Sequence, residues 1–88
     1  MKKFQNPHLQ ENLKGQIERI LFTSEETGYT VAKILVLGRP TMATCIGIFP
    51  SPIPGAIVEM TGEWRAHSRW GMEFDASSCR LLLPSSAN

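Results

Sequence analysis

The sequence predicts an all-β protein, folded as one small five-stranded β-barrel. Five runs rich in apolar, aromatic and β-branched residues follow one another at intervals of about 10 residues, with turn residues between them. No run shows a convincing helical period. In two of the five runs the apolar alternation changes phase, which indicates that those strands bend. Bent strands let a small sheet curl until its exposed edges close, so a barrel is favoured.

The first strand is predicted at residues 13–23. Ile17 occupies one phase of the alternation, whereas Ile20 and Phe22 occupy the other, so a bulge or sharp coil is expected between them. Gly15, near the start of this run, is typical of a position where another backbone approaches closely.

The second and third strands are separated by a strong turn signal. A polar turn that ends at Gly28, which is free to adopt a positive φ, precedes the second strand at residues 29–37. Residues 38–40, a Gly-Arg-Pro sequence, then turn the chain into the third strand at residues 41–49. Three prolines within residues 50–55 exclude a helix in the next connection.

The fourth strand, predicted at residues 56–65, alternates most clearly between one apolar face and one polar face. The apolar face consists of Val58, Met60, Gly62 and Trp64. Residues 67–71 form a short hairpin loop, and residues 72–83 form the fifth strand. The apolar phase slips between Ala76 and Leu81, so a second bend is expected there.

Five short strands with two bends are typical of an OB-type barrel, with an SH3-like barrel as the main alternative. The chain of 88 residues has room for one domain, which we expect at residues 13–83. Residues 1–12 are expected to be a flexible leader. Residues 84–88 are expected to be a linker, or an end left where the domain was cut from a longer protein.

The charge balance limits how this domain can contact nucleic acid. Nine Lys and Arg residues face eight Asp and Glu residues, so the formal net charge is +1. A domain that binds DNA mainly by releasing counterions is usually distinctly basic. Any nucleic-acid contact is therefore expected to be local, and weak when the domain is alone.

The two cysteines, Cys45 and Cys79, lie far apart inside apolar strands and are expected to be buried thiols. The basic start of the chain is followed by Asn6-Pro7-His8, where an export signal would need apolar residues. No apolar run approaches the roughly 18 residues of a membrane span. A cytoplasmic protein with reduced cysteines is expected.

Residues 15–22 (GQIERILF) and 25–32 (EETGYTVA) resemble the opening of RecD/TraA-type DNA helicases. These are relatives of the exodeoxyribonuclease V alpha chain that carry an additional N-terminal OB domain. The similarity continues in Gly47 with Pro50, Pro54-Gly55, Thr61-Gly62-Glu63-Trp64, and His67 to Gly71 with Phe74. The resemblance implies an accessory domain of an ATP-driven helicase that translocates along single-stranded DNA in repair or recombination.

The resemblance also implies that ATP and Mg²⁺ belong to motor domains outside this chain, which has no GxxxxGK[ST] phosphate loop. No nucleophile and base can be assembled from its residues, so the domain alone is not expected to be an enzyme. A metal site is not expected either, because the only histidines are His8 in the leader and His67 in a turn.

Single-stranded nucleic acid is the partner for which the residues supply a mechanism. OB barrels bind strands across the face of their second and third strands, using aromatic rings for bases and cations for phosphates. The loop at residues 65–71 has the densest combination of both. The predicted DNA-contacting residues are Tyr29, Lys33, Arg39, Arg65, His67, Arg69 and Trp70. Glu25 and Glu26, in the loop between the first two strands, would repel phosphate.

Less specific interpretations of the same residues stay open. The cations are also consistent with a solvated surface, Trp70 with packing over the barrel end, and Trp64 with the core. The alternative function is a docking module that packs on the helicase motor or on a partner protein. In that case Phe49, Ile53 and Trp70 are expected to form an exposed apolar patch.

Overall fold

The computed structural model of the chain describes residues 10–67, 69 and 71–82. Five strands form one closed barrel: β1 (Glu11–Thr23), β2 (Tyr29–Val36), β3 (Met42–Ile48), β4 (Ile57–His67) and β5 (Gly71–Leu82). The predicted all-β barrel is thus confirmed, and each strand end lies within two residues of its expected position. The predicted leader up to Leu9, the linker at residues 84–88, His8, Leu83 and Trp70 lie outside the described residues.

The strand order around the barrel is β1-β2-β3-β5-β4, and β4 pairs back with β1. Every neighbouring pair is antiparallel except β3 and β5, which run parallel. This parallel seam is short, running only from the Thr44–Glu73 pair to the Ile46–Asp75 pair. The barrel is of the predicted OB type.

β1 bends through two irregularities in its register with β2. Ile17 pairs with Ile34 and Ile20 pairs with Ala32, so the bulge expected between Ile17 and Ile20 is confirmed. A second bulge follows directly after Ile20. Because each extra residue reverses the face that the next side chain takes, Phe22 points outward and is 53% exposed. The prediction that Phe22 shares the phase of Ile20 is therefore wrong.

β5 also contains the predicted bend. Thr61 pairs with Ser78 but Gly62 pairs with Ala76, which leaves Ser77 as the additional residue of a bulge. The hydroxyl of Ser77 donates to the carbonyl oxygen of Thr61 at 3.0 Å, so the bulge has a polar partner across the strands. The inward phase consequently changes after Ala76.

The core fills the barrel with apolar side chains that range in size from alanine to phenylalanine. It consists of Leu13, Ile17, Ala32, Ile34, Val36, Cys45, Phe49, Val58, Met60, Phe74 and Ala76. The close approach expected at Gly15 is confirmed, since a Cβ atom there would lie 2.6 Å from the carbonyl oxygen of Leu35. Gly28 has a φ of 82°, as its turn requires.

Both cysteines are free thiols. Cys45 is buried and Cys79 is half-buried, so the expectation of burial is met fully only by Cys45. Burial raises the pKa of Cys45 to about 12 and that of Cys79 to about 11. Within the described part of the chain, no helix has the length and apolar character needed to cross a membrane.

Candidate nucleic-acid interface

The outward-facing side chains of β1, β2 and β3 form one surface, which we call the β1–β3 face. It consists of Arg19, Phe22, Tyr29, Val31, Lys33, Leu35, Met42, Thr44, Ile46 and Ile48. Strand register arranges these residues in rows across the sheet. One row is basic and polar, because Arg19 pairs with Lys33 and Lys33 pairs with Thr44. The next row is apolar, because Phe22 pairs with Val31, and Val31 pairs with Ile46.

Two aromatic rings lie exposed near one end of this face. The ring centroids of Phe22 and Tyr29 are 6.3 Å apart and their planes are tilted by 57°. Phe22 is 53% exposed and Tyr29 is 39% exposed, and Ile48, the register partner of Tyr29, is exposed beside them. Tyr29 was predicted as a contact residue from its position in the sequence. Phe22 was not, because only the second bulge of β1 brings it to this surface.

Lys33 lies in the middle of the face. Its ammonium group donates to the hydroxyl of Thr44 at 2.8 Å, which fixes the end of a flexible side chain. Lys33 lines a recess of about 370 Å³ together with Glu18, Arg19 and Met42. Neither Lys33 nor Arg19 makes an ion pair with another described residue, so their charges are the least neutralised on this face.

Arg39 lies at the edge of a second recess, of about 250 Å³, which Lys33 also lines. Its guanidinium group forms an ion pair with Glu11 at 2.9 Å and lies 5.4 Å from the centre of the Trp64 ring. The indole N–H of Trp64 donates to the same carboxylate at 2.8 Å. Trp64 also packs edge-on against Phe74, with ring centroids 5.1 Å apart. It is half-buried at the barrel surface rather than fully enclosed in the core.

The predicted residues Arg65 and His67 lie at the end of β4 rather than in a loop, and each has a polar partner. Arg65 forms ion pairs with Asp75 at 2.8 Å and with Glu63 at 3.3 Å. The imidazole Nδ1 of His67 accepts the backbone N–H of Arg69 at 3.0 Å, and the Arg69 side chain is exposed. Of the predicted residues, the structure brings Lys33 and Arg39 to one recess and places Tyr29 farther along the same sheet.

The acidic residues Glu25 and Glu26 are exposed in the loop between β1 and β2. This loop follows the strand that carries Phe22 and precedes the one that begins with Tyr29. The aromatic end of the face thus borders negative charge, and the basic row borders the recesses at Lys33. Among the described residues, no group of three or more His, Cys, Asp or Glu side chains could hold a metal ion.

The predicted docking patch is only partly exposed. Phe49 is 2% exposed because it packs in the core, and its backbone N–H donates to the carbonyl oxygen of Gly28 at 3.1 Å. The prediction that Phe49 contributes to an exposed patch is therefore wrong. Ile53 is exposed and borders an apolar groove of about 530 Å³. The groove is lined by Ile53, Pro54, Gly55, Ala56, Ile57, Leu81 and Leu82.

The chain was compared with protein families, curated proteins and solved structures. No curated protein and no solved structure matches the chain. The family model described as the OB-fold domain of the ATP-dependent DNA helicase YrrC matches residues 10–84, which span the whole barrel. With the five-stranded closed barrel described above, the chain thus belongs to the family of OB-fold domains of YrrC-type ATP-dependent DNA helicases.

Proposed function

We propose that this domain assists an ATP-dependent helicase by holding single-stranded DNA on the β1–β3 face during repair or recombination. The observation that carries the proposal is that the Arg19–Lys33 row lies on the same face as the exposed rings, next to the row of Phe22 and one row further from Tyr29. Single-strand binding needs this combination, since rings stack on bases of any sequence while cations meet the phosphates.

The charges on the face indicate a weak contact. Arg19 and Lys33, which form no ion pair with another described residue, correspond to about two phosphate contacts. Each contact on a single strand contributes about −0.7 to the logarithmic salt slope. Affinity should then fall about sevenfold between about 50 and 200 mM salt. Glu25 and Glu26 repel phosphate at the aromatic end of the face. The bases of the bound strand, rather than its phosphates, are therefore expected to contact that part.

For the whole enzyme, we propose a helicase of the RecD/TraA type that works in the cytoplasm. The motif at residues 25–32 supports the RecD/TraA type. In that enzyme ATP and Mg²⁺ are bound by the motor domains, and this domain supplies an additional DNA contact. Its two cysteines are free thiols, as is usual in a reducing compartment.

The test is fluorescence anisotropy of a labelled oligo(dT) of about 12 nucleotides, within the site size of an OB fold. The 88-residue chain should bind at low salt, and Lys33→Gln should weaken binding about threefold, as expected for one phosphate contact. Lys14→Gln is the matched control, because Lys14 is an exposed β1 cation that pairs with Glu59 on β4 instead. Unchanged anisotropy at high micromolar protein, or equal losses in both variants, would overturn the proposal.

A second candidate function is docking onto the remainder of the helicase chain. The observation that favours it is the apolar groove at Ile53, whose lining contains no ionisable side chain. Leu82, the last residue of β5, lines this groove. An apolar surface of the adjoining motor domain is the occupant that we propose.

A further inference from the structure

The parallel seam between β3 and β5 opens at one end. Thr44 pairs with Glu73, but the residues that precede them on the two strands are not paired across the seam. Met42 of β3 and Met72 of β5 both line the recess that results, which has a volume of about 250 Å³. We call it the seam recess. It exists because two strands that run parallel for a few residues diverge where their hydrogen bonds stop.

Cations line one part of the seam recess. The ammonium group of Lys33 is held toward it by the hydroxyl of Thr44, at 2.8 Å. Arg39 uses one terminal nitrogen for its ion pair with Glu11, and a guanidinium group carries five N–H donors in all. Arg39 can therefore keep its carboxylate partner and still donate to an anion in the recess.

Two thioethers and an indole also line the seam recess. Met42 is 52% exposed and Met72 is 53% exposed, although both are large apolar side chains. Trp64, whose ring lies 5.4 Å from the Arg39 guanidinium group, is part of the same lining. Sulfur atoms of methionine make favourable contacts with aromatic rings, and flexible thioethers adapt to the shape of a planar group.

A nucleotide combines the two chemistries that this lining offers, a planar aromatic base and an anionic phosphate. The volume of about 250 Å³ is slightly below the range of small-molecule sites, about 300–1,000 Å³, so the recess has room for at most one nucleotide. We propose that the seam recess holds a single nucleotide of the bound strand, with its phosphate at Lys33 and Arg39 and its base between Met42 and Met72. This inference rests on the proposed function and adds a defined subsite to it.

The test is NMR of the chain labelled with ¹³C in the methionine methyl groups, titrated with oligo(dT) of about 12 nucleotides. The signals of Met42 and Met72 should shift together, whereas Met60, which is completely buried in the core, should stay in place. Anisotropy with the same oligonucleotide reports independently whether the chain binds DNA at all.

The outcomes separate the two proposals. If anisotropy shows binding but the NMR signals of Met42 and Met72 do not shift, the nucleotide site in the seam recess is overturned and the proposed function stands. No binding by either method would overturn both. A shift of Met60 as large as the others would report a change of the whole barrel and would also count against a local contact.

Variants give a second measurement. Replacing Met42 and Met72 together by Ala should weaken oligo(dT) binding about three- to tenfold, as expected from loss of thioether–ring contacts. Leu37→Ala is the matched control, because Leu37 is an exposed apolar residue outside the seam recess. Both methionines are exposed, so the thermal midpoint should change little in the double variant. Equal affinity of the double variant and the control would contradict the proposal.

Discussion

Phe22 and Tyr29 lie with their ring centroids 6.3 Å apart on the outside of the barrel, at the end of β1 and the start of β2. Neither ring belongs to the core, and both are large apolar surfaces in contact with water. The pair depends on the second bulge of β1, because a regular strand would place Phe22 on the opposite face. A structural irregularity has thus put an aromatic ring on the surface that we propose for DNA.

Phe22→Ala and Tyr29→Ala should each weaken oligo(dT) binding by at least fivefold, since loss of one base–ring stack costs about 1–3 kcal/mol. Anisotropy at low salt measures the change. Leu21→Ala serves as the control, because Leu21 is exposed but has no register partner on β2. If Leu21→Ala weakens binding as much as the ring variants do, stacking is not the cause.

Glu11→Gln should raise the affinity for oligo(dT) about twofold while it slightly destabilises the barrel. The substitution removes the negative charge that neutralises Arg39, but its side-chain oxygen can still accept the indole N–H of Trp64. The pair is solvent-exposed, so the loss of unfolding free energy should stay below about 1 kcal/mol. Anisotropy and urea unfolding measure the two effects. Weaker DNA binding in this variant would mean that Arg39 does not face the strand.

The two thiols should make the barrel less stable in alkali. Burial raises the pKa of Cys45 from 9.0 to about 12, and that of Cys79 from 9.0 to about 11. Above about pH 9 the unfolded chain loses thiol protons that the folded chain retains, so the free energy of unfolding falls as pH rises through this window. Stability from this source is complete below about pH 9.

Urea unfolding at about pH 8 and about pH 10.5 measures that dependence. Replacing Cys45 and Cys79 by Ala removes both titrating groups and should reduce the difference in stability between the two pH values. An equal difference in the variant would assign the alkaline destabilisation to other groups.

Gly15→Ala should destabilise the fold by about 1–3 kcal/mol, as overpacking does in other cores. An added Cβ atom would lie 2.6 Å from the carbonyl oxygen of Leu35 and 2.7 Å from Cγ2 of Ile34. Lys14→Ala, at an exposed neighbouring position of β1, is the control. Thermal unfolding measures both, and a stable Gly15→Ala variant would show that β1 and β2 can separate at no cost.

Ile53→Ser should weaken binding of this domain to the remainder of the helicase, supplied as a separate protein. Its affinity for oligo(dT) should not change, because Ile53 borders the apolar groove and lies outside the β1–β3 face. An apolar contact should also persist at high salt. Leu37→Ser, another exposed apolar position, is the control. Calorimetry measures the interaction, and equal binding by both variants would exclude the groove.

The local sequence predicts the elements of this fold better than it predicts their surface. Alternation and turn residues locate all five strands, and the phase change between Ile17 and Ile20 shows the first bulge of β1. The second bulge of β1 is not visible in the apolar pattern, because an apolar Phe22 is compatible with either the core face or the outer face of the strand. The sequence suggests that Arg65 is free to bind a phosphate. In the structure it forms an ion pair with Asp75 on the neighbouring strand, a contact that depends on the β4–β5 register.

The seam recess shows the same limit. Lys33 and Arg39 can be selected as cations on or after β2, but their neighbours Met72 and Trp64 come from strands much later in the chain. Only the strand order, with β5 beside β3, brings these residues together. Phe49 shows the converse, because a residue that precedes a proline-rich loop turns out to be a core side chain.

The short parallel pairing of β3 with β5 has a dynamic consequence. It is the least extensive of the five junctions between strands, so transient opening of the barrel should begin there. The amides that bond across this junction should then exchange with solvent before the amides that bond across the other four. A nucleic-acid chain lying across this junction would contact both the β2–β3 hairpin and the β4–β5 hairpin, which pair with each other only from Thr44–Glu73 to Ile46–Asp75. Binding of DNA would then also stabilise the closed barrel, and the amides at this junction would exchange more slowly in the complex.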